Sequence, residues 1–162
     1  MFSDDIHDLA TRVLAKARIN GLHIVTAESC TGGLIAASLT EIPGSSDVVE
    51  CGFIVYSDNA KTRLLGVAAP LLKRFGAVSE EAARAMALGA LEKCNAELSV
   101  AVTGIAGPSG GTTLKQVGLV HIAAAREGRE VQHLACEFGD VGRSDVRLLT
   151  VGAALQLLLR MM

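Results

Sequence analysis

The chain has 162 residues, half of them hydrophobic but only 3% aromatic, with a formal net charge of −2. That length and composition suit one folded domain with an aliphatic core and disfavour intrinsic disorder. The lack of a basic block argues against a nucleic-acid partner held by phosphate contacts. No apolar run reaches the ~18 residues of a membrane-spanning helix, so a cytoplasmic protein without a membrane partner is expected.

Apolar positions Ile6, Leu9, Val13 and Ala17 predict a helix over 4–20, with acidic residues at its start, basic residues near its end and a stop at Asn20-Gly21. A short strand, LHIVTA, follows. Glu28, Ser29, Cys30 and Thr31 then precede Gly32-Gly33 and a helix over 33–40, which Pro43-Gly44 ends. Residues 48–57 read as a strand and 58–65 as a short helix capped by Ser57 or Asp58. The chain turns around Pro70. Ser79 caps a long alanine-rich helix reaching about Asn95, and 98–103 is a strand. GIAGPSGGTTLK is too rich in glycine to be anything but loop. Residues 117–126 and 130–138 form a β-hairpin around Glu127-Gly128, and an apolar helix covers 143–160. The expected fold is α/β: a single three-layer α/β/α domain over 1–162 with a mostly parallel mixed sheet and one C-terminal β-hairpin.

Two glycine-rich loops follow strands, AESCTGG at 27–33 and TGIAGPSGG at 103–111. With parallel strands they share one sheet edge, where open α/β sheets collect ligands. The Ser29–Gly33 amides would meet an anion at a helix start. Neither loop is a Walker or GxGxxG sequence. Ser29 needs a base to react, and Lys61, His23, Glu28 and Lys115 are the candidates. Lys61 lies one helical turn past the strand carrying Tyr56, and a lysine withdrawn from water loses proton affinity. Cys30 is a rival nucleophile, since a thiol at a helix N-terminus has a lowered pKa. Thr103 ends its strand and either meets a ligand or closes a turn. Glu28 holds its loop or orients a hydroxyl. Arg143 and Arg147 share a helix face and either clasp a carboxylate or face water. The four cysteines form no CxxC pair and are expected as reduced thiols. The histidines lack metal-ligand spacing, so no metal site is expected. The alanine-rich and final helices offer faces for a homo-oligomer.

TAESCTGG, GFIVYSDNAKTRLLGV, FGAVSEEAARAMALGAL and TGIAGPSGG, in this order, closely resemble the CinA C-terminal domain family. The resemblance covers nearly the whole chain. Standalone members of that family resemble nicotinamide-nucleotide amidases, which turn nicotinamide mononucleotide and water into nicotinate mononucleotide and ammonia. It implies Ser29 as nucleophile, Lys61 as base, and Tyr56 and Thr103 near the reacting group. Glu28, Cys30, Thr31, Gly32 and Gly33 are expected on the substrate side. So are Gly104, Ala106, Gly107, Ser109, Gly110 and Gly111, the loop expected to wrap the nucleotide, together with Lys115 and Arg143. Neither a metal nor an organic cofactor is implied; the partner is a small nucleotide substrate. Two departures stand out. Gln116 replaces a proline common in the family after the glycine loop, and GDVGRSDVR carries two extra residues between Asp140 and Arg143. The runner-up functions are a non-catalytic pyridine-nucleotide-binding module and a cysteine-dependent amidohydrolase.

Overall fold

The computed structural model describes residues 2–162. The Ser3 hydroxyl accepts the Ile6 N–H and opens helix α1 (Asp4–Asn20); Gly21, in the left-handed region, closes it. Strand β1 (Ile24–Glu28) leads to helix α2 (Leu34–Thr40), then to β2 (Val49–Ile54). Helices α3 (Asp58–Leu65), α4 (Ala69–Phe75) and α5 (Glu80–Lys93) precede β3 (Leu98–Gly104). The chain then forms β4 (Leu119–Arg126), β5 (Gln132–Glu137) and α6 (Arg143–Met161).

The sheet order is β2-β1-β3-β4-β5. β1 pairs in parallel with β2 on one side and β3 on the other, while β3–β4 and β4–β5 are antiparallel. This corrects the expected fold in two respects. The three layers and the mixed sheet are present, but the chain ends on the long helix α6, and the β4–β5 hairpin precedes it. The sheet is evenly split between parallel and antiparallel pairings rather than mostly parallel. The reason is local. The chain returns from β3 to β4 through a glycine loop without a helix, and only a crossover connection could have made that pair parallel.

Strand side chains alternate between two cores. On one face Ile24, Val100, Val102, Val120, Ile122 and Ala124 pack under α1, α2 and α6. Lys16 Nζ donates to Leu159 O at 2.9 Å, tying α1 to α6 across 143 residues of sequence. On the other face Val25, Ala27, Ala101, Ala123 and Ala125 meet Ala82, Ala83, Met86, Ala87 and Ala90 of α5. Methyl groups on both sides let α5 approach the sheet closely. α5 also touches α3: a methyl added at Gly89 would collide with the Leu65 carbonyl. Gly89→Ala is therefore expected to destabilise the fold by about 2 kcal/mol through overpacking, read as a lower urea midpoint. Among the described residues no helix is long and apolar enough to cross a membrane.

Because β2 and β3 flank β1, the crossover through α2 lies on one face and the crossover through α3–α5 on the other. Such a reversal leaves a crevice beyond the carboxyl ends of the strands.

Candidate functional site

Lys61 occupies that crevice. Ser57 caps α3 by accepting the Ala60 N–H, and Lys61, one turn on, points back over the end of β2. It is the largest side chain among those fully buried, at 1% exposure. Its Nζ donates to Val55 O at 3.0 Å and lies 3.2 Å from Ser29 Oγ. Burial pushes its pKa below the ordinary lysine value of 10.5; Asp58 and Cys30 oppose the shift without cancelling it. An amine of weakened proton affinity is thus held against a buried hydroxyl.

Glu28 organises the turn that carries Ser29. Its carboxylate is wholly buried. One oxygen accepts from Thr26 Oγ1 at 3.1 Å and Ala36 N at 2.8 Å. The other accepts from Thr31 Oγ1 at 2.7 Å, Gly33 N at 3.0 Å and Ile35 N at 3.1 Å. The anion at the start of α2 is therefore the protein's own glutamate, and those amides are not open to a ligand. Ser29 N donates to Val102 O and Gly32 N to Ser29 O. Among the described residues, the Cys30 and Thr31 amides are the ones in this turn with no oxygen partner.

That thiol departs from expectation. Burial pushes it up to about 11, against the opposing pull of the two amides and Arg147, and nearby Glu28 adds to the rise. The helix-start effect is real but loses to desolvation.

Ser29, Cys30, Tyr56, Lys61, Thr103, Gly104, Ala106 and Arg143 line one cavity of about 200 Å³, with Ala77 and Val78. The Thr103 hydroxyl donates to Ala77 O at 2.7 Å, so it fastens the segment before α5 rather than facing inward as a free donor. Tyr56 is 61% exposed, and its hydroxyl accepts from Arg143 Nη2 at 3.0 Å. Arg143 Nη1 donates to Gly107 O at 2.9 Å. Tyr56, Arg143 and Gly107 thus form one hydrogen-bonded wall at the cavity mouth. The insertion before Arg143 does not remove it from the cavity.

Other expected residues stand outside. Thr31, Gly32 and Gly33 shape the turn without lining the cavity. Ser109, Gly110 and Gly111 are exposed on the loop beyond Gly107. Lys115 Nζ donates to Phe75 O at 2.7 Å and Val78 O at 2.6 Å, pinning the α4–α5 junction. Gln116 lies beside Val117 in a separate surface groove. His23 pairs with Glu97, and its ring stands at the opposite end of β1.

Thr26, Ala77 and Val78 were not among the site residues expected from the sequence, and Arg147 was expected to clasp a carboxylate or face water. Thr26 shares a strand face with Glu28 two residues on, a spacing that was legible. Arg147, four residues after Arg143, donates to Cys30 O at 3.2 Å and Thr31 O at 2.8 Å. Ala77 and Val78 precede the Ser79 cap and carry no chemical signal of their own.

An open α/β sheet with a hydroxyl and a dehydrated amine at its switch point defines a small-ligand site built for polar chemistry. Residues 6–162 match the CinA C-terminal domain, and the chain belongs to that family. It is 50% identical to the competence/damage inducible protein CihA of Agrobacterium tumefaciens, whose crystal structure superposes with a TM-score of 0.97 over 99% of this chain and 97% of that one. A CinA superfamily protein of Escherichia coli superposes with a TM-score of 0.92 at 34% identity, over 100% and 94% of the two chains. A CinA-like protein of Mycobacterium marinum is 46% identical over 164 residues, which is 99% of this chain but 37% of that protein. One from Akkermansia muciniphila is 56% identical over 111 residues, 68% of this chain and 27% of the relative. The chain thus spans well under half the length of these curated relatives.

Proposed function

We propose that this chain is a single amidase domain that hydrolyses the carboxamide of nicotinamide mononucleotide, with Ser29 as nucleophile and Lys61 as base. The observation that carries the reading is the 3.2 Å approach of a 1%-exposed lysine to a buried serine across 32 residues of sequence. A buried amine is costly to desolvate; chemistry at the neighbouring hydroxyl gives a reason for it. The cavity suits a carboxamide-bearing ring, and the ribose phosphate would extend past Tyr56 towards the exposed Arg143.

Neutral Lys61 takes the Ser29 proton as Oγ bonds the carboxamide carbon. The oxyanion is held by the Cys30 and Thr31 amides; one such donor is typically worth about 3 kcal/mol of barrier. The C–N bond breaks, and protonated Lys61 returns its proton to the leaving nitrogen, releasing ammonia. Water, deprotonated by Lys61, attacks the acyl carbon. Nicotinate mononucleotide leaves, and Ser29 recovers its proton from Lys61. No step requires a metal or an organic cofactor.

A thiol mechanism is the second reading, favoured by the place of Cys30 in the same cavity beside Ser29. Ammonia release from nicotinamide mononucleotide by wild type, Ser29→Ala and Cys30→Ala separates the two. The serine reading expects a loss of at least about 10³-fold in Ser29→Ala and a change within about threefold in Cys30→Ala. The reverse pattern would install the thiol. Binding without ammonia from wild type would leave a nucleotide-binding module.

A further inference from the structure

We infer that Arg147 is a positioning residue that turns and strengthens the Thr31 amide, one of the two oxyanion donors proposed above, through the Cys30 carbonyl of the same peptide unit. The inference deepens the serine amidase reading and rests on it.

Arg147 sits one turn into α6, partly buried. Its guanidinium spans two successive carbonyls, Nε to Cys30 O and Nη2 to Thr31 O. The Cys30 carbonyl and the Thr31 N–H belong to one peptide unit. The cis bond at Gly107–Pro108 lies elsewhere, so this unit is trans, and its C=O and N–H point in opposite directions. With the Cys30 oxygen held by Arg147, the Thr31 N–H points away from α6, to the side of the turn where Cys30 lines the cavity.

The turn needs such a restraint. Gly32 and Gly33 follow with φ of +61° and +98°, and a chain with two permissive residues can rotate the adjoining peptide planes at little cost. Glu28 holds Gly33 N and the Thr31 hydroxyl, but neither bond fixes the Cys30–Thr31 plane. Arg147 does. A cation on a carbonyl also polarises the peptide and makes its N–H a stronger donor. Arg143, four residues earlier, bonds Tyr56 and Gly107 instead, so the two arginines divide the work between mouth and turn.

The test is steady-state ammonia release from nicotinamide mononucleotide by Arg147→Ala and Arg147→Lys. The expected result is kcat lower by about 100-fold in the alanine variant and about tenfold in the lysine variant, with KM within about threefold of wild type. Millimolar guanidinium ion is expected to restore at least about tenfold of the alanine variant's kcat, since it refills the same carbonyls. A raised KM with kcat preserved would make Arg147 a substrate contact and overturn the inference, as would an unchanged kcat or an absent rescue. If wild type releases no ammonia, the amidase reading fails on its own. Labelling of Ser29 by a fluorophosphonate, which forms a P–O bond and expels fluoride, then decides Arg147 separately. Slower labelling in folded Arg147→Lys supports the role, and an unchanged rate removes it.

Discussion

Lys61→Met is expected to abolish ammonia release, by at least about 10³-fold, while leaving the folded protein within about 1 kcal/mol of wild-type stability. The side chains are close in length, and methionine removes an amine that is 1% exposed and penalised by desolvation. What is lost is the bond to Val55 O and the amine beside Ser29, the proposed base. Thermal melting alongside the activity assay checks both halves. A large fall in melting temperature would make Lys61 a structural strut instead.

The same residue sets a pH signature. Burial lowers the Lys61 pKa, so between its folded value and 10.5 the unfolded chain binds more protons than the folded one. Stability therefore rises with pH across that window. Below the folded value both states are protonated and the full burial cost applies. Activity should climb through the folded value as neutral amine accumulates, and Lys61→Met should lack the Lys61-dependent rise in stability.

Glu28→Gln is expected to cost about 3–5 kcal/mol, a fall of roughly 10 °C or more in melting temperature. Each carboxylate oxygen accepts at least two donors. An amide nitrogen must replace one oxygen, and it then faces either the Ala36 N–H or the Gly33 and Ile35 N–H groups donor to donor. No rotamer satisfies both sides. The Ser29 turn should loosen with the start of α2, so activity should fall further than the folded fraction explains. Calorimetry paired with activity per folded molecule measures the two effects separately.

Element identity was largely legible because caps and periodicity are local. Ser57 and Ser79 each cap the helix their position announces. The balance of the sheet was not legible, since pairing direction depends on where β3 and β4 meet and no single residue encodes it. The Ser29–Lys61 approach followed from placing two strand ends on one edge. Burial of Lys61 to 1% did not, because the residues covering it come from four other segments. The raised Cys30 thiol was misjudged for the same reason: a helix start is visible in sequence and desolvation is not. Lys115 and Thr103 offered side chains that suit a ligand, yet both bond backbone carbonyls around the α4–α5 junction. Their partners, Phe75, Ala77 and Val78, are ordinary residues whose carbonyl directions only the folded chain reveals.

The tie between α1 and α6 has a bearing on synthesis. A ribosome delivers α1 first and α6 last, so the apolar side of α1 waits through the making of the whole sheet for the surface that shields it. Until α6 has emerged, the Ser29 turn also lacks Arg147 and the cavity mouth lacks Arg143. Nascent chains should therefore be sticky and chemically silent together, with both conditions ending in one late docking event.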